Sequence, residues 1–200
     1  MGVALHLLDA EGKLAPYRRR LENTFAASVT RLEQLLPIPK VDVVVYVDPA
    51  YVIPAVGVSG FSPAANRIFI AVDPDNVHFT DALEREFLPM LGHELHHCLR
   101  WGTVGYGDTL GEVLVTEGLA CHFETELRGG AVPPYAAALE PDAIPPLLLR
   151  AKRELNTVDY DHSAWFFGAD SIIPLYAGYT LGFELVSSYI SRHRTKASLL

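Results

Sequence analysis

The sequence is poor in most of what marks a specialised chain. Among its 200 residues are two cysteines, two methionines and two tryptophans. Two cysteines cannot frame a disulfide-stapled fold, so stability has to come from a hydrophobic core. Cationic side chains are in deficit, 16 Lys and Arg against 24 Asp and Glu, for a formal net charge of −8. A nucleic-acid footprint needs a basic face. The one arginine cluster, Arg18, Arg19 and Arg20, reads as a solvated helix face instead. The longest late apolar stretch, Pro174 to Ile190, is interrupted by Glu184 and is too short to span a bilayer comfortably. Met1 to Ala10 holds His6 and Asp9 and lacks a basic segment ahead of an apolar one, so no secretory signal is read there. There is no internal repeat and no low-complexity tail. These absences predict a cytoplasmic protein with no nucleic-acid or membrane partner. Cys98 and Cys121 are then expected as reduced, small, buried core residues.

What is present is a globular composition, half hydrophobic and one fifth charged, at a length that suits a single domain over residues 1–200. Val3 to Leu8 and the β-branched Val41 to Val47 read as strands, and Asn66 to Val72 as another. Gly57 and Gly60 mark a turn region. Pro16 to Leu36 has helical apolar spacing and is stopped by Pro37 and Pro39. Asp81 and Glu84 resemble a capping box. Pro89 then either kinks that helix or sits in the first turn of a new one running to about Arg100. Thr109 and Glu112 form a second capping box for Leu110 to Leu127, which Gly129-Gly130 ends. Ala131 to Pro146 reads as a proline-rich crossover, Pro146 to Asn156 as helix, Tyr160 to Asp170 as irregular, and Pro174 to His193 as the last long helix. Strands first and helices after give an α+β class, with a small N-terminal sheet and a helical C-terminal part.

The most informative segment is His93-Glu94-Leu95-His96-His97, which contains H-E-x-x-H. From this composition the motif would arise by chance roughly 0.02 times. On a helix, positions i and i+4 put His93 and His97 on one face, where both imidazoles can reach one zinc ion. Glu94, beside the first ligand, is placed as the general base of a zinc hydrolase. His96 points about 100° away from His97, which suits a packed or supporting role.

Catalytic zinc takes a third protein ligand, and that ligand sets the class. The metzincin extension fails, because its positions hold Arg100 and Thr103. The aspzincin element fails too, because Gly102-Thr103 is followed by Tyr106 where an aspartate is needed, leaving Asp108 as a weak substitute. Glu117 is the better candidate. Its helical neighbours Val113, Ala120 and Cys121 are apolar, so a carboxylate there is costly unless paired or metal-bound. Glu112 is explained by capping, and Glu124 and Glu126 lie toward a polar helix end. His122 is read as structural or surface, and His6, His78, His162 and His193 have no partner at ligand spacing. Tyr176 and Tyr179 on the last helix are alternatives for an oxyanion donor, with Tyr179 preferred and packing as the competing role. Gly178 and Gly182 would let that helix approach another backbone closely. Asn66 to Val72 is a candidate edge strand for extended peptide.

Two helices carrying H-E-x-x-H and then Glu117-Gly118-Leu119-Ala120 resemble the gluzincin arrangement. Together with Phe123 and Gly178-Tyr179-Thr180-Leu181-Gly182, the segment from about Val41 to Ile190 resembles a bacterial family of predicted zinc-dependent proteases, a domain of unknown function. The resemblance implies a zincin-like fold, a Zn2+ cofactor, a peptide or protein substrate and peptide-bond hydrolysis. One position departs: an aromatic, often tyrosine, is expected just after the last glycine, and Phe183 carries no hydroxyl. The rival reading is a non-catalytic zinc-binding module with a structural or interaction role. Retention of Glu94 argues against it, because a structural site has no use for a base beside the ligand.

Overall fold

Alternate valines of Val41–Val47 bury their side chains while Asp42 stays exposed, as the two-residue period of a strand requires. A computed structural model describes residues 2–200 and shows four strands and seven α-helices among them, an α+β architecture. Contacts divide the chain into two units, one running through to Thr103 and one from Val104 to Leu200. None of the described helices is long and apolar enough to cross a membrane.

The first unit is a four-stranded sheet with three helices. β1 (Val3–Leu8), α1 (Arg18–Leu32) and β2 (Val41–Val47) form a parallel βαβ unit. β4 (Arg67–Val72) adds parallel to β2, and β3 (Val58–Ala64) runs antiparallel along β4, giving the order β1-β2-β4-β3. The expectation that residues 66–72 form an edge strand is therefore corrected: β4 is interior, and β3 is the edge. β3 lies where only a turn was expected. Gly60, Ser62 and Pro63 weaken its strand signal, but an edge position tolerates them because one side of the backbone needs no partner. Alternation along the strand turns Ser62 inward with Val58 and leaves Phe61 exposed, and the ladder becomes irregular between Phe61 and Ala64.

α2 (Phe79–Arg85) begins three residues before the expected start, and its N-cap His78 makes no side-chain cap bond, so the Asp81–Glu84 box does not form. Burial of Phe79, Ala82 and Leu83 sets the register, and Asn76 closes the entry by accepting from the His78 amide at 2.8 Å. α3 (Phe87–Trp101) is a separate helix with Pro89 in its first turn, where the missing N–H costs nothing. It is buried on nearly every side from Pro89 to Cys98 and packs on α1, β3 and β4.

The second unit is helical. α4 (Leu110–Leu127) starts at the Thr109–Glu112 capping box, both halves of which form. α5 (Ile144–Glu154) and α7 (Ala177–His193) pack against it, and α6 (His162–Phe167) packs on α7. α4 keeps an exposed stripe at Glu112 and Glu126, but Glu124 lies on a covered face, which corrects its placement at a polar end. That carboxylate is fully buried, takes two bonds from the Arg128 guanidinium at 2.8 and 3.0 Å, and accepts from the Tyr135 hydroxyl. Tyr135 lies in the proline-rich segment. There two short 3-10 turns replace open loop, and the Thr180 hydroxyl accepts from the Ala138 amide at 3.2 Å.

α4 and α7 cross at glycines. A Cβ on Gly118 would lie 2.2 Å from the Gly182 carbonyl oxygen, and one on Gly182 would lie 2.4 Å from that of Leu114. Both obstacles are backbone, so neither can swing aside. Gly178 instead makes room for the Phe166 ring, 2.6 Å from where a Cβ would stand. Gly118→Ala is therefore expected to destabilise the protein by about 2–3 kcal/mol through forced separation of the helices, read as a lowered urea midpoint; an unchanged midpoint would contradict this packing.

Candidate metal centre

In the first unit, α3 holds His93 and His97 one turn apart, with ring centroids 4.7 Å apart and ring planes at 83°. Both are about 95% buried, with exposures of 5% and 4%. His96 is equally buried on the same helix, in keeping with a packed role. Glu94 is gripped by the edge strand. Its Oε2 lies 2.7 Å from the Ser62 hydroxyl, which also stands 3.0 Å from the Glu94 carbonyl. The Ser62 carbonyl in turn accepts from Trp101 Nε1 at 2.9 Å. A Cβ on Gly60 would fall 2.4 Å from Glu94 Oε1, so only glycine lets β3 pass over this carboxylate. Cys98 lies behind Ser62, and burial pushes its thiol up to about 11, so it stays protonated.

In the second unit, Glu117 occupies the middle of α4 with 4% exposure, flanked by buried Val113, Ala120 and Cys121. Its carboxylate accepts from the Tyr106 hydroxyl. Tyr106 is held in place because its own carbonyl accepts from the Thr116 hydroxyl at 2.6 Å. Sequence reasoning considered Tyr106 only as a missing aspartate. The available signal was an aromatic hydroxyl just ahead of a helix that carries a buried acid. Asp108 is exposed, and Glu112 spends its carboxylate on the amides of Asp108 and Thr109.

Tyr179 is half-buried on α7, its ring against Tyr135 and Phe166 at 5.1 Å each and Tyr176 at 6.0 Å. Tyr176 caps that helix with φ +64°, a conformation unusual for a residue other than glycine. His122 stacks on Phe183 at 3.9 Å and bonds its carbonyl at 3.0 Å, with burial lowering its pKa, which fits the structural role expected of it. Cys121 is buried and free, as is Cys98.

Among the described residues, one group of histidine, cysteine, aspartate and glutamate side chains could hold a metal ion: His93, His97 and Glu117. Each offers one ligand atom, and these lie within 4.8 Å of one another. Two imidazole nitrogens and a carboxylate oxygen, all buried, match the donor set of a zinc ion that keeps a fourth position open. The features define the class of a candidate metal centre with an acid beside its first donor. The family description "Predicted Zn-dependent protease (DUF2268)" matches residues 21–200, and the chain belongs to that family. Neither curated proteins nor solved structures gave a match.

The purified chain is expected to bind about one zinc, as three convergent donors imply, and His97→Ala to bind none by elemental analysis. Glu117→Ala should weaken zinc binding far more than Asp108→Ala or Glu112→Ala. Tyr106→Phe should cost roughly tenfold in affinity, the scale on which partners of a ligand act. Full zinc retention in His97→Ala would remove the assignment.

Proposed function

We propose that this protein is a zincin-like zinc metallopeptidase whose metal is held by His93, His97 and Glu117 and whose general base is Glu94. The observation that carries the reading is the cradle built around Glu94. An edge strand with glycine at residue 60 and an inward serine at residue 62 holds a buried carboxylate that immediately follows the first donor. A zinc site kept only for stability gains nothing from such a cradle, and desolvating an extra carboxylate is costly. The family description supports the same reaction class.

Bound zinc supplies Lewis acidity, lowering the pKa of water and polarising a carbonyl. The remaining tasks fall to the chain. Glu94 takes a proton from water as it attacks the peptide carbonyl and returns it to the leaving amine. The Ser62 hydroxyl donates to Glu94 Oε2 and so fixes the rotamer of the base. Tyr106 orients the Glu117 carboxylate by its hydrogen bond. Tyr179 is the chain's donor toward the oxyanion in this reading, with Tyr176, the N-cap of the same helix, as the alternative. The substrate is a peptide or protein, and the protein acts in the cytoplasm.

Glu94→Gln is expected to keep zinc and fold while peptide cleavage falls by at least about a hundredfold, the lower range for loss of a general base. Gly60→Ala should also keep zinc but lower kcat, because the added methyl displaces the Glu94 carboxylate. A peptide-library digest with and without chelator measures both. Cleavage by Glu94→Gln at the wild-type rate would remove Glu94 from the mechanism, and chelator-insensitive cleavage would remove the metal.

A further inference from the structure

The segment between α5 and α6 is fastened to the start of α4. The Gly111 amide donates to the Leu155 carbonyl at 2.9 Å and the Leu110 amide to that of Thr157 at 3.3 Å. A Cβ on Gly111 would stand 2.9 Å from the same Leu155 oxygen, so glycine permits the join. The chain then turns at Asp161, whose carboxylate caps α6 by accepting from the Ala164 amide at 2.9 Å. This fixes Tyr160 just before the cap and His162 just after it, with the Tyr160 hydroxyl 3.0 Å from His162 Nδ1. The His162 ring stacks on Phe166 one turn later, centroids 4.6 Å apart and planes at 21°. Tyr179 meets that same Phe166 edge-on. Tyr106, which holds Glu117, and Tyr160 pack on one core cluster with Tyr179.

The protonation states follow from the surroundings. Burial, and behind it the charge of Glu117, pushes the Tyr160 hydroxyl up to about 12. Burial lowers His162 below its ordinary value, against the opposing pull of the Glu117 and Asp161 charges. Both groups are therefore neutral at pH 7. A phenol is the stronger donor and an imidazole nitrogen the better acceptor, so Tyr160 donates to Nδ1 and the ring proton resides on Nε2. No hydrogen bond among the described residues uses that Nε2–H. The Tyr160 bond therefore leaves a half-buried N–H locked in orientation, and Glu117 is among the charges that act on its ring.

We propose that His162 is a further catalytic residue, its Nε2–H donating to the scissile carbonyl oxygen of the substrate as negative charge develops there, and that Tyr160 is the positioning residue that fixes its tautomer. The proposal rests on the zinc peptidase reading above. It differs from a ligand role, because neither residue is needed to hold the metal.

The test uses the full chain loaded with zinc and a peptide selected from the library digest. His162→Phe keeps the stack on Phe166 and removes the N–H. It should lower kcat about a hundredfold, the scale of one lost oxyanion donor, with KM within a factor of two or three and zinc content unchanged. Tyr160→Phe should lower kcat less and shift the His162 side-chain 15N signals from the pure Nε2–H form to a tautomer mixture. A His162→Phe protein with wild-type kcat overturns the proposal, as does an Nδ1–H tautomer in the wild type. If wild type and Glu94→Gln are equally inert toward every peptide, the peptidase reading fails instead. A phosphonate dipeptide analogue, whose tetrahedral oxygens carry the same charge, then decides for His162. A change in its 15N signals on addition to the zinc-loaded protein upholds the donor role, and no change overturns it.

Discussion

A carboxylate buried among apolar side chains is expensive, and each unit of this chain carries one at the candidate metal centre. Desolvation of such a group costs several kcal/mol unless hydrogen bonds or a cation answer it. In the first unit the acid is Glu94, answered by Ser62 from an edge strand that must be glycine where it crosses. In the second it is Glu117, answered by Tyr106 from the loop ahead of its helix. Both of these bonds come from neutral hydroxyls. A lysine or arginine at these places would neutralise the acid and remove its use as a base or a ligand. Hydroxyl donors stabilise the charge and leave it available.

Glu124 shows the contrast. It lies seven residues after Glu117, two turns along α4, and is fully buried as well. Its carboxylate is consumed by a two-pronged bond from Arg128 and by Tyr135. That pairing fastens the proline-rich segment to α4, and Thr180 on α7 adds a second attachment. The same helix thus carries one acid spent on architecture and one that accepts from a neutral hydroxyl.

Packing at the α4–α7 crossing sets how these groups are presented. Two helices whose backbones touch at Gly118 and Gly182 have little freedom to slide, since each glycine faces a carbonyl of the other helix. Phe166 fills the space that Gly178 leaves, and it is the ring on which both His162 and Tyr179 rest. A chain of small-residue choices therefore determines where the aromatic hydroxyls and the imidazole of this unit stand.

The sequence by itself determined the elements with strong local signals. The i, i+4 histidines had to share a helix face, Thr109 and Glu112 had to cap α4, and the valines of β2 had to alternate, because each pattern is decided within a few residues. It also made Glu117 conspicuous, as an acid among apolar helical neighbours. What it could not show was anything paid for by distant burial. β3 reads as a turn because Gly60 and Pro63 have poor strand propensity, yet pairing with β4 makes it a strand. The Asp81 capping box lost to the burial of Phe79. Glu124 looked like a polar end until Tyr135, eleven residues on, covered it. Ser62, Tyr106 and the Tyr160–His162 pair carry no motif, because their meaning lies in which carboxylate or ring they face. Local propensity writes the helices; only tertiary contact, with its much larger desolvation energies, decides which polar groups are answered and by what.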